Sequence, residues 1–205
     1  HALGRCPGYL ELSGLRRGQK RFPDGRGIDR TSRIAMITDA QVHLWEADRP
    51  DRPMAVGAKP HLPEPMTAER MLALMDEAGI ARAVISPANL PDRGPAYALE
   101  VAAKYPARFR VMGWFQPGKR EYYDLLPRWL ADSRMCSLRV SFNEAGNEKL
   151  LAAGGLEPLW AAAERYQIPV AVFRREGAAP FESVVQRHPD LTVIIDHLNW
   201  AKPEV

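Results

Sequence analysis

The stretch ITDAQVHL, residues Ile37–Leu44, is the first strand-like run in the chain and begins a repeating pattern. After it, short apolar runs alternate with segments whose apolar residues recur every three or four positions, as on one face of a helix. A strand followed by a helix, five times over and ending on a sixth strand, indicates parallel βα units. The predicted strands are Ile37–Leu44, Ala83–Ser86, Arg110–Phe115, Ser137–Phe142, Ile168–Phe173 and Leu191–Asp196.

Five helices are predicted between these strands. Thr67 can cap the first helix through its hydroxyl group, and Gly79 suits the backbone turn that ends it. Pro106 ends the second helix, because proline cannot continue the helical hydrogen-bond pattern. The predicted helices are Thr67–Ala78, Ala96–Tyr105, Glu121–Ala131, Leu156–Tyr166 and Phe181–Arg187.

Two α/β architectures fit this pattern, an open doubly wound sheet and a (β/α)8 TIM barrel. The strands are continuous apolar runs, which is typical of parallel strands covered on both faces. No GxGxxG turn follows the first strand, so the dinucleotide-binding form of the doubly wound sheet lacks its signature. We therefore predict a (β/α)8 TIM barrel of which six strands are present. Two further βα units are expected after Val205, and the chain as given is expected to be an incomplete barrel with impaired activity.

The basic charge of the chain lies in its first 35 residues. Residues 1–35 carry eight lysines and arginines against three acidic residues, whereas the whole chain has a net charge of +3, so residues 36–205 are mildly acidic. Glycine and proline interrupt the first segment, which shows no helical or strand period. We predict that 1–35 is a leader without a fixed fold, or read-through upstream of Met36, and that 36–205 form the N-terminal three-quarters of the barrel.

The composition also argues against several classes of partner. The predicted domain has no basic stripe interleaved with aromatic residues, so nucleic-acid binding is not expected. No apolar run reaches the roughly 20 residues that cross a bilayer, so no membrane span is expected. Cys6 and Cys136 form neither a disulfide framework nor a CxxC metal pair, which fits a cytoplasmic location. A small-molecule substrate is the expected partner, and the pattern leaves homo-oligomer formation open.

Polar side chains gather where the predicted strands end. Gln41 and His43 lie at the end of the first strand, Arg139 on the fourth, Arg174 after the fifth and His197 after the sixth. Parallel strands place their carboxyl ends on one side, where (β/α)8 barrels build their active sites. We therefore predict that His43 and His197 lie on the same end of the sheet and face one pocket.

These residues also have structural interpretations. A histidine at a strand end can be a hydrogen-bonded structural group, and an arginine can form an ordinary ion pair. Asp39 and Asp196 are expected to support the histidines that follow them. His61, in a proline-rich loop, and His188, beside a helix-ending proline, are expected at the surface.

The order of these motifs resembles that of a known family. The segment DAQVH, residues 39–43, resembles the opening D-x-H-x-H strand of the amidohydrolase-2 group. The segment PDLTVIIDHLN, residues 189–199, resembles the sixth strand of that group, with its D-H-L-G signature. Weaker similarities lie at 104–109 and 138–140, and the resemblance covers residues 37–202.

This resemblance implies a TIM-barrel hydrolase, or less often a non-oxidative decarboxylase, that acts on small carboxylated or lactone substrates. Members with a full site hold a divalent metal, usually zinc, through first-strand histidines, a fifth-strand histidine and an eighth-strand aspartate. The sixth-strand histidine, His197 here, then binds or polarises the substrate. Gln41 and Phe173 stand where two metal histidines are expected, so only His43 remains of the metal-binding histidines. Zinc is therefore disfavoured, and the chain is more similar to the lactonase branch, which includes metal-independent hydrolases.

We interpret the chain as a hydrolase that cleaves a lactone or a similar acyl bond in a small carboxylated metabolite. An acid from a later strand would be the general base, and His43 and His197 would stabilise the developing oxyanion. Arg139, Arg174 and Gln41 would bind the substrate, the two arginines by pairing with its carboxylate. Two alternatives stay open: a metal-dependent non-oxidative decarboxylase on the same fold, and an inactive fragment that binds a small acid.

Overall fold

The computed structural model describes residues 36–51, 62–87 and 96–199 of the chain. The strands in these residues are β1 Ile37–Val42, β2 Ile80–Ile85, β3 Phe109–Trp114, β4 Met135–Ser141, β5 Val170–Phe173 and β6 Val193–Ile195. The α-helices are α1 Ala68–Glu77, α2 Ala96–Lys104, α3 Arg120–Tyr123, α4 Ala145–Ala152, α5 Glu157–Arg165 and α6 Ala179–Arg187. Leu126–Ala131 and Asp196–Asn199 form 3₁₀ helices. In this part of the chain, no helix has the length and apolar character needed to span a membrane.

The six strands are hydrogen-bonded in the order in which they occur in the chain. Each neighbouring pair is parallel, from β1 with β2 through to β5 with β6. A doubly wound sheet reverses its strand order at a switch point, because its helices cover both faces. Sequential order is the arrangement of a barrel, in which the helices form an outer ring. The predicted fold class, α/β with six strands of a (β/α) barrel, is therefore confirmed.

The apolar core lies on the face of the sheet that the helices cover. On β4, Leu138 and Val140 are fully buried in a cluster that includes residues of α5 and α6, whereas Arg139 between them points to the opposite face. A second cluster, which includes Ile85 and Val111, packs α1 and α2 against β1–β3. Burial of each such aliphatic side chain contributes about 1.5–3 kcal/mol relative to exposure. The face under the helices therefore contains the two main apolar clusters, whereas Arg139 brings a charged side chain to the opposite face.

Two helical regions differ from the prediction. The predicted helix Glu121–Ala131 is divided into α3 and a 3₁₀ helix, because Pro127 cannot donate a backbone hydrogen bond and disfavours a helical residue before it. Helix α4 lies where no helix was predicted. Its first turn contains Gly146 and Asn147, which are poor helix formers, and its leucines fall in the last turn, so no helical period is visible. The remaining boundaries differ by no more than three residues.

His188 is buried, and the prediction that it lies at the surface is wrong. Its Nδ1 donates to Glu164 Oε2 at 2.9 Å, and its Nε2 donates to Glu157 Oε1 at 2.8 Å. The two glutamates are seven residues apart on α5 and therefore share one face of that helix. Carboxylates at both ring nitrogens favour the charged imidazolium, which makes its burial tolerable. The corresponding prediction for His61 lies outside the described residues.

The two glutamates also set the pKa of His188. Burial by itself would lower this pKa, but the hydrogen bonds to Glu164 and Glu157 outweigh burial and hold it above the ordinary value of 6.5. The bond from His188, opposed in part by burial, holds the pKa of Glu164 below its ordinary value of 4.5.

Replacing His188 with glutamine should therefore destabilise the protein more at low pH than at high pH. The stabilising contribution of His188 is complete below its unfolded pKa of 6.5 and is lost as the pH rises through the raised pKa of the folded state. Urea unfolding from about pH 5 to pH 9 measures the difference between wild type and His188→Gln. Arg187→Gln is the control, because Arg187 also contacts Glu157 but does not titrate in this range. A difference for His188→Gln that does not change with pH would contradict the assignment.

A second prediction concerns Gly113 on β3, where no side chain fits. A Cβ atom there would lie 2.5 Å from Met135 Cε and 2.7 Å from Trp129 Cζ2. Met135 can rotate away, but the indole ring is held by the hydrogen bond from its Nε1 to the Ser137 carbonyl at 3.1 Å. Gly113→Ala should therefore lower the free energy of unfolding, measured by chemical denaturation, by about 1–3 kcal/mol.

Gly146→Ala is the matched control for this change. Among the described residues, no atom lies within 4 Å of a Cβ atom at Gly146, which is part of α4. Alanine also restricts the unfolded chain and favours the helix, so this variant should be stabilised by about 0.5–1 kcal/mol. Equal effects of the two substitutions would show that the contact at Gly113 does not limit side-chain size.

Candidate active site

An open cavity of about 530 Å³ lies on the inner face of the sheet. Its lining comes mostly from apolar strand residues, whereas Gln41, Asp196 and His197 bring polar groups to it from the ends of β1 and β6. This volume falls in the range of small-molecule sites, about 300–1,000 Å³. Two residues of the predicted site, Gln41 and His197, therefore line one cavity. His43 follows β1 at the same end of the sheet but does not line this cavity.

Arg139 and Asp196 form a buried ion pair on the inner face. Arg139 Nε donates to Asp196 Oδ2 at 2.5 Å, and the two side chains are only 5% and 4% exposed. Arg139 lies on β4 and Asp196 directly follows β6, so the pair reaches across β5. Removing one partner would leave the other as a buried uncompensated charge, which typically costs about 3–5 kcal/mol.

Two aromatic rings from neighbouring strands contact the guanidinium of Arg139. Its Cζ lies 5.0 Å from the ring centroid of Trp114 and 5.2 Å from that of Phe173. The indole Nε1 of Trp114 donates to the Pro87 carbonyl at 2.6 Å, which fixes the ring. Aromatic faces attract a cation at such distances. We call Arg139, Asp196, Trp114 and Phe173 the guanidinium clamp.

The terminal nitrogens of Arg139 are not used by the clamp. Asp196 binds only Nε, and within the described residues neither Nη1 nor Nη2 has a hydrogen-bond partner. A guanidinium presents its donors in one plane, which suits two parallel hydrogen bonds to a carboxylate. Substrate binding by Arg139 stays a prediction, and these two nitrogens are the atoms that would perform it.

Two other buried polar groups near the strand ends lack a partner in the described part of the chain, Gln41 Nε2 and Ser86 Oγ. Asp39 pairs with Ala83, and Val42 pairs with Ile85. The chain therefore advances by three residues on β1 but by only two on β2, so β1 contains one extra residue. Such a β-bulge changes the direction of the side chains beside it, and Gln41 lines the cavity. An unsatisfied buried polar group costs about 1–3 kcal/mol, so a ligand that bonds to the Gln41 amide would recover part of that cost.

His43 is half-buried and is hydrogen-bonded to Ser86, the residue that follows β2. Its Nδ1 donates to the Ser86 carbonyl at 2.8 Å, and the Ser86 amide donates to the Val42 carbonyl at 2.9 Å. Because a carbonyl only accepts hydrogen bonds, Nδ1 carries the proton, and Nε2 of the neutral ring is an acceptor. His43 can therefore donate from Nε2 to an oxyanion only as an imidazolium, whereas the neutral ring can accept a proton.

His197 holds an unusual backbone conformation beside the cavity. Its φ of +54° lies in the left-handed region, which non-glycine residues rarely adopt. Its ring packs edge-on against Phe173, with the ring centroids 4.9 Å apart. Strain of this kind, about 1–3 kcal/mol, is often found at functional sites. The His197 side chain is thus placed by both the backbone and the clamp.

Arg174 is engaged in an ion pair with helix α4. Its Nε and Nη2 donate to the two carboxylate oxygens of Glu148 at 3.1 and 2.8 Å, and its Nη1 donates to the Gly177 carbonyl at 3.0 Å. A substrate carboxylate would have to compete with Glu148 for these donors. Substrate binding by Arg174 stays a prediction with less support than that of Arg139.

The sequence analysis missed the aromatic part of the clamp. Phe173 was noted only as a missing metal ligand, and Trp114 carried no assigned role. The strand register brings the two rings to Arg139. Trp114 pairs directly with Arg139, and Phe173 pairs with Ser141, two residues further along β4. That register is visible only once the strands are paired.

The side chains at this end of the sheet do not fit the metal centre that the resemblance implies. Within residues 36–51, 62–87 and 96–199, no three His, Cys, Asp or Glu side chains are arranged to hold a metal ion. Gln41 offers a neutral amide, which is a poor zinc ligand. Phe173 has no donor atom and contacts the guanidinium of Arg139 instead.

The chain should therefore bind zinc weakly. After dialysis against a zinc buffer, we expect a substoichiometric metal content by atomic emission and no rise in melting temperature. The double variant Gln41→His and Phe173→His should retain more zinc, because it returns two imidazoles to the expected ligand positions. Stoichiometric zinc in the wild-type protein would contradict this expectation.

Residues 38–204 of the chain match the family model described as amidohydrolase. The chain has no match among curated proteins. Among solved structures, it is similar to a probable 2-pyrone-4,6-dicarboxylic acid hydrolase from Acinetobacter baumannii with citric acid bound (14% identity, TM-score 0.54, 78% of this chain and 58% of that one). It is also similar to an amidohydrolase from Burkholderia multivorans with bound zinc (17%, 0.57, 80% and 58%) and to apo IDCase from Metarhizium anisopliae (13%, 0.60, 79% and 65%).

At these identities the solved structures show a common fold, and the chain spans less than two thirds of the length of each. This common fold agrees with the sequential parallel sheet. The family match is independent of them and covers most of the chain. The protein therefore belongs to the amidohydrolase family.

Proposed function

We propose that this protein hydrolyses a lactone or a similar acyl bond in a small carboxylated metabolite. The observation that carries the proposal is the guanidinium clamp, a buried cation whose two terminal nitrogens have no partner among the described residues. It lies beside His197, which lines the cavity. The donor set, which does not suit a metal, favours hydrolysis over the metal-dependent decarboxylation known in the same family.

The substrate would be anchored by its carboxylate. Arg139 would donate from Nη1 and Nη2 to the two carboxylate oxygens, while Asp196 keeps Nε occupied. The Gln41 amide, whose Nε2 has no partner among the described residues, would donate to a second polar group of the substrate. These contacts would hold the acyl bond in the cavity next to His197.

In the reaction itself, water would attack the acyl carbon and lose its proton to a general base. The negative charge that develops on the carbonyl oxygen would be stabilised by a hydrogen bond from His197, which lines the cavity. Collapse of the tetrahedral intermediate would break the bond between the acyl carbon and the ring oxygen, which takes up the proton held by the general base and becomes the hydroxyl group of the ring-opened hydroxy acid. As in the sequence interpretation, the general base would be an acidic residue of a later strand.

The proposal is tested with pairs of lactones that differ only in carrying a free carboxylate or its methyl ester. The wild-type protein should hydrolyse the free acid preferentially, and Arg139→Met should remove that preference. His197→Asn should lower kcat by about 10²–10³-fold, the usual effect of losing one oxyanion donor. Asparagine is chosen because it tolerates the left-handed backbone of His197.

Arg187→Met is the control, because this arginine forms an exposed ion pair on α6. It should leave both rates unchanged. Equal rates for wild type and His197→Asn would contradict the site assignment. Release of carbon dioxide that depends on added zinc or manganese would instead favour the decarboxylase, and binding of the acid without turnover would favour a small-acid-binding protein.

A further inference from the structure

We propose that Asp196 is a specificity-determining residue that makes the Arg139 site select carboxylates by shape rather than by charge. The inference rests on the carboxylate-binding role of Arg139 in the proposed function. Asp196 Oδ2 accepts from Arg139 Nε at 2.5 Å, and both side chains are almost completely buried. The pair is therefore neutral as a unit, yet neither Nη1 nor Nη2 has a hydrogen-bond partner among the described residues.

The negative charge of Asp196, which cancels the positive charge of Arg139, changes which anions the Arg139 site can bind. A buried guanidinium alone would attract any small anion, because Coulomb interactions are strong away from water. With Asp196 beside it, a monatomic anion is attracted by Arg139 and repelled by the aspartate, so the net gain is small. A carboxylate differs, because its two oxygens match the two Nη donors and form parallel charge-assisted hydrogen bonds. The paired site thus depends on hydrogen-bond geometry.

The aromatic rings restrict how a ligand can approach. Trp114 lies on β3 and Phe173 on β5, the two strands that flank β4, and their ring centroids are 5.0 and 5.2 Å from Arg139 Cζ. Rings at these distances restrict access to the faces of the guanidinium, which favours a ligand lying in the guanidinium plane. Asp196 also lines the 530 Å³ cavity, which has room for a small aromatic acid.

Benzoate and chloride separate the two modes of recognition. Calorimetric titration measures the Kd of benzoate at constant ionic strength in sodium chloride and in sodium fluoride, since fluoride is too strongly hydrated to enter the site. For the wild-type protein the two Kd values should agree within about twofold, and benzamide, the neutral isostere, should bind at least about tenfold more weakly.

Asp196→Asn should convert the site to a general anion site. The amide oxygen can still accept from Arg139 Nε, but the charge of Arg139 is no longer cancelled. Chloride should then weaken benzoate binding by about tenfold relative to fluoride. Asp132→Asn is the matched control, because it removes a carboxylate from Arg134, an arginine outside the candidate site, and should behave like the wild type. Melting temperatures verify that each variant is folded at the temperature of the titration.

Several outcomes would overturn the inference. Selection by shape is contradicted if the wild-type protein binds benzoate no better than benzamide, or if chloride weakens its benzoate binding. Both results can be obtained with the wild-type protein alone. A folded Asp196→Asn protein that is as insensitive to chloride as the wild type shows that Asp196 does not set the selectivity. These binding measurements require no turnover. If no lactone is hydrolysed but benzoate binds as expected, only the proposed reaction is rejected. If lactones are hydrolysed but benzoate binding does not show the expected dependence on chloride and Asp196, only this inference is rejected.

Discussion

The buried ion pair between Arg139 and Asp196 is the interaction on which the organisation of the inner face depends. It joins the middle of β4 to the residue that follows β6, across β5, although the partners are 57 residues apart in the sequence. Both charges are out of water, so each requires the other. The same pair orients Arg139 between two rings and places His197 one residue beyond the buried Asp196. A single contact between distant strands thus fixes Arg139 and Asp196, and Asp196 lines the cavity.

The cavity has its own chemical character within the amidohydrolase family. Where the resemblance leads one to expect a fifth-strand metal ligand, Phe173 contacts both the Arg139 guanidinium and the His197 ring. An organic cation, rather than a cluster of imidazoles, is the positive group beside the cavity. A guanidinium binds carboxylates with direction and fixed geometry, whereas it cannot activate water as a metal ion does. This difference in chemistry favours substrate anchoring and oxyanion stabilisation by protein side chains.

Unsatisfied polar groups and backbone strain at this end of the sheet destabilise the fold, and packing elsewhere in the protein offsets this free energy. Gln41 Nε2 and Ser86 Oγ are buried without partners in the described structure, and His197 holds a left-handed backbone. Each feature costs a few kcal/mol at most, and strain of this kind persists where the surrounding structure overdetermines it. The support comes from the two apolar clusters under the helices and from the bonds of His188 to α5. Stability and the candidate site thus lie on opposite faces of the sheet.

The sequence by itself determined the α/β class, the six strands and the end of the sheet that carries polar groups, because apolar periodicity and strand polarity are local properties. It could not distinguish His188 at a helix end from a surface histidine, since the two glutamates that bury it belong to another helix. It could not reveal α4, because the first turn contains Gly146 and Asn147 and no helical period of apolar residues is visible. The guanidinium clamp was decided only by the tertiary structure, because strand register and the burial of Asp196 bring together residues from β3, β4, β5 and the end of β6 that no local pattern connects.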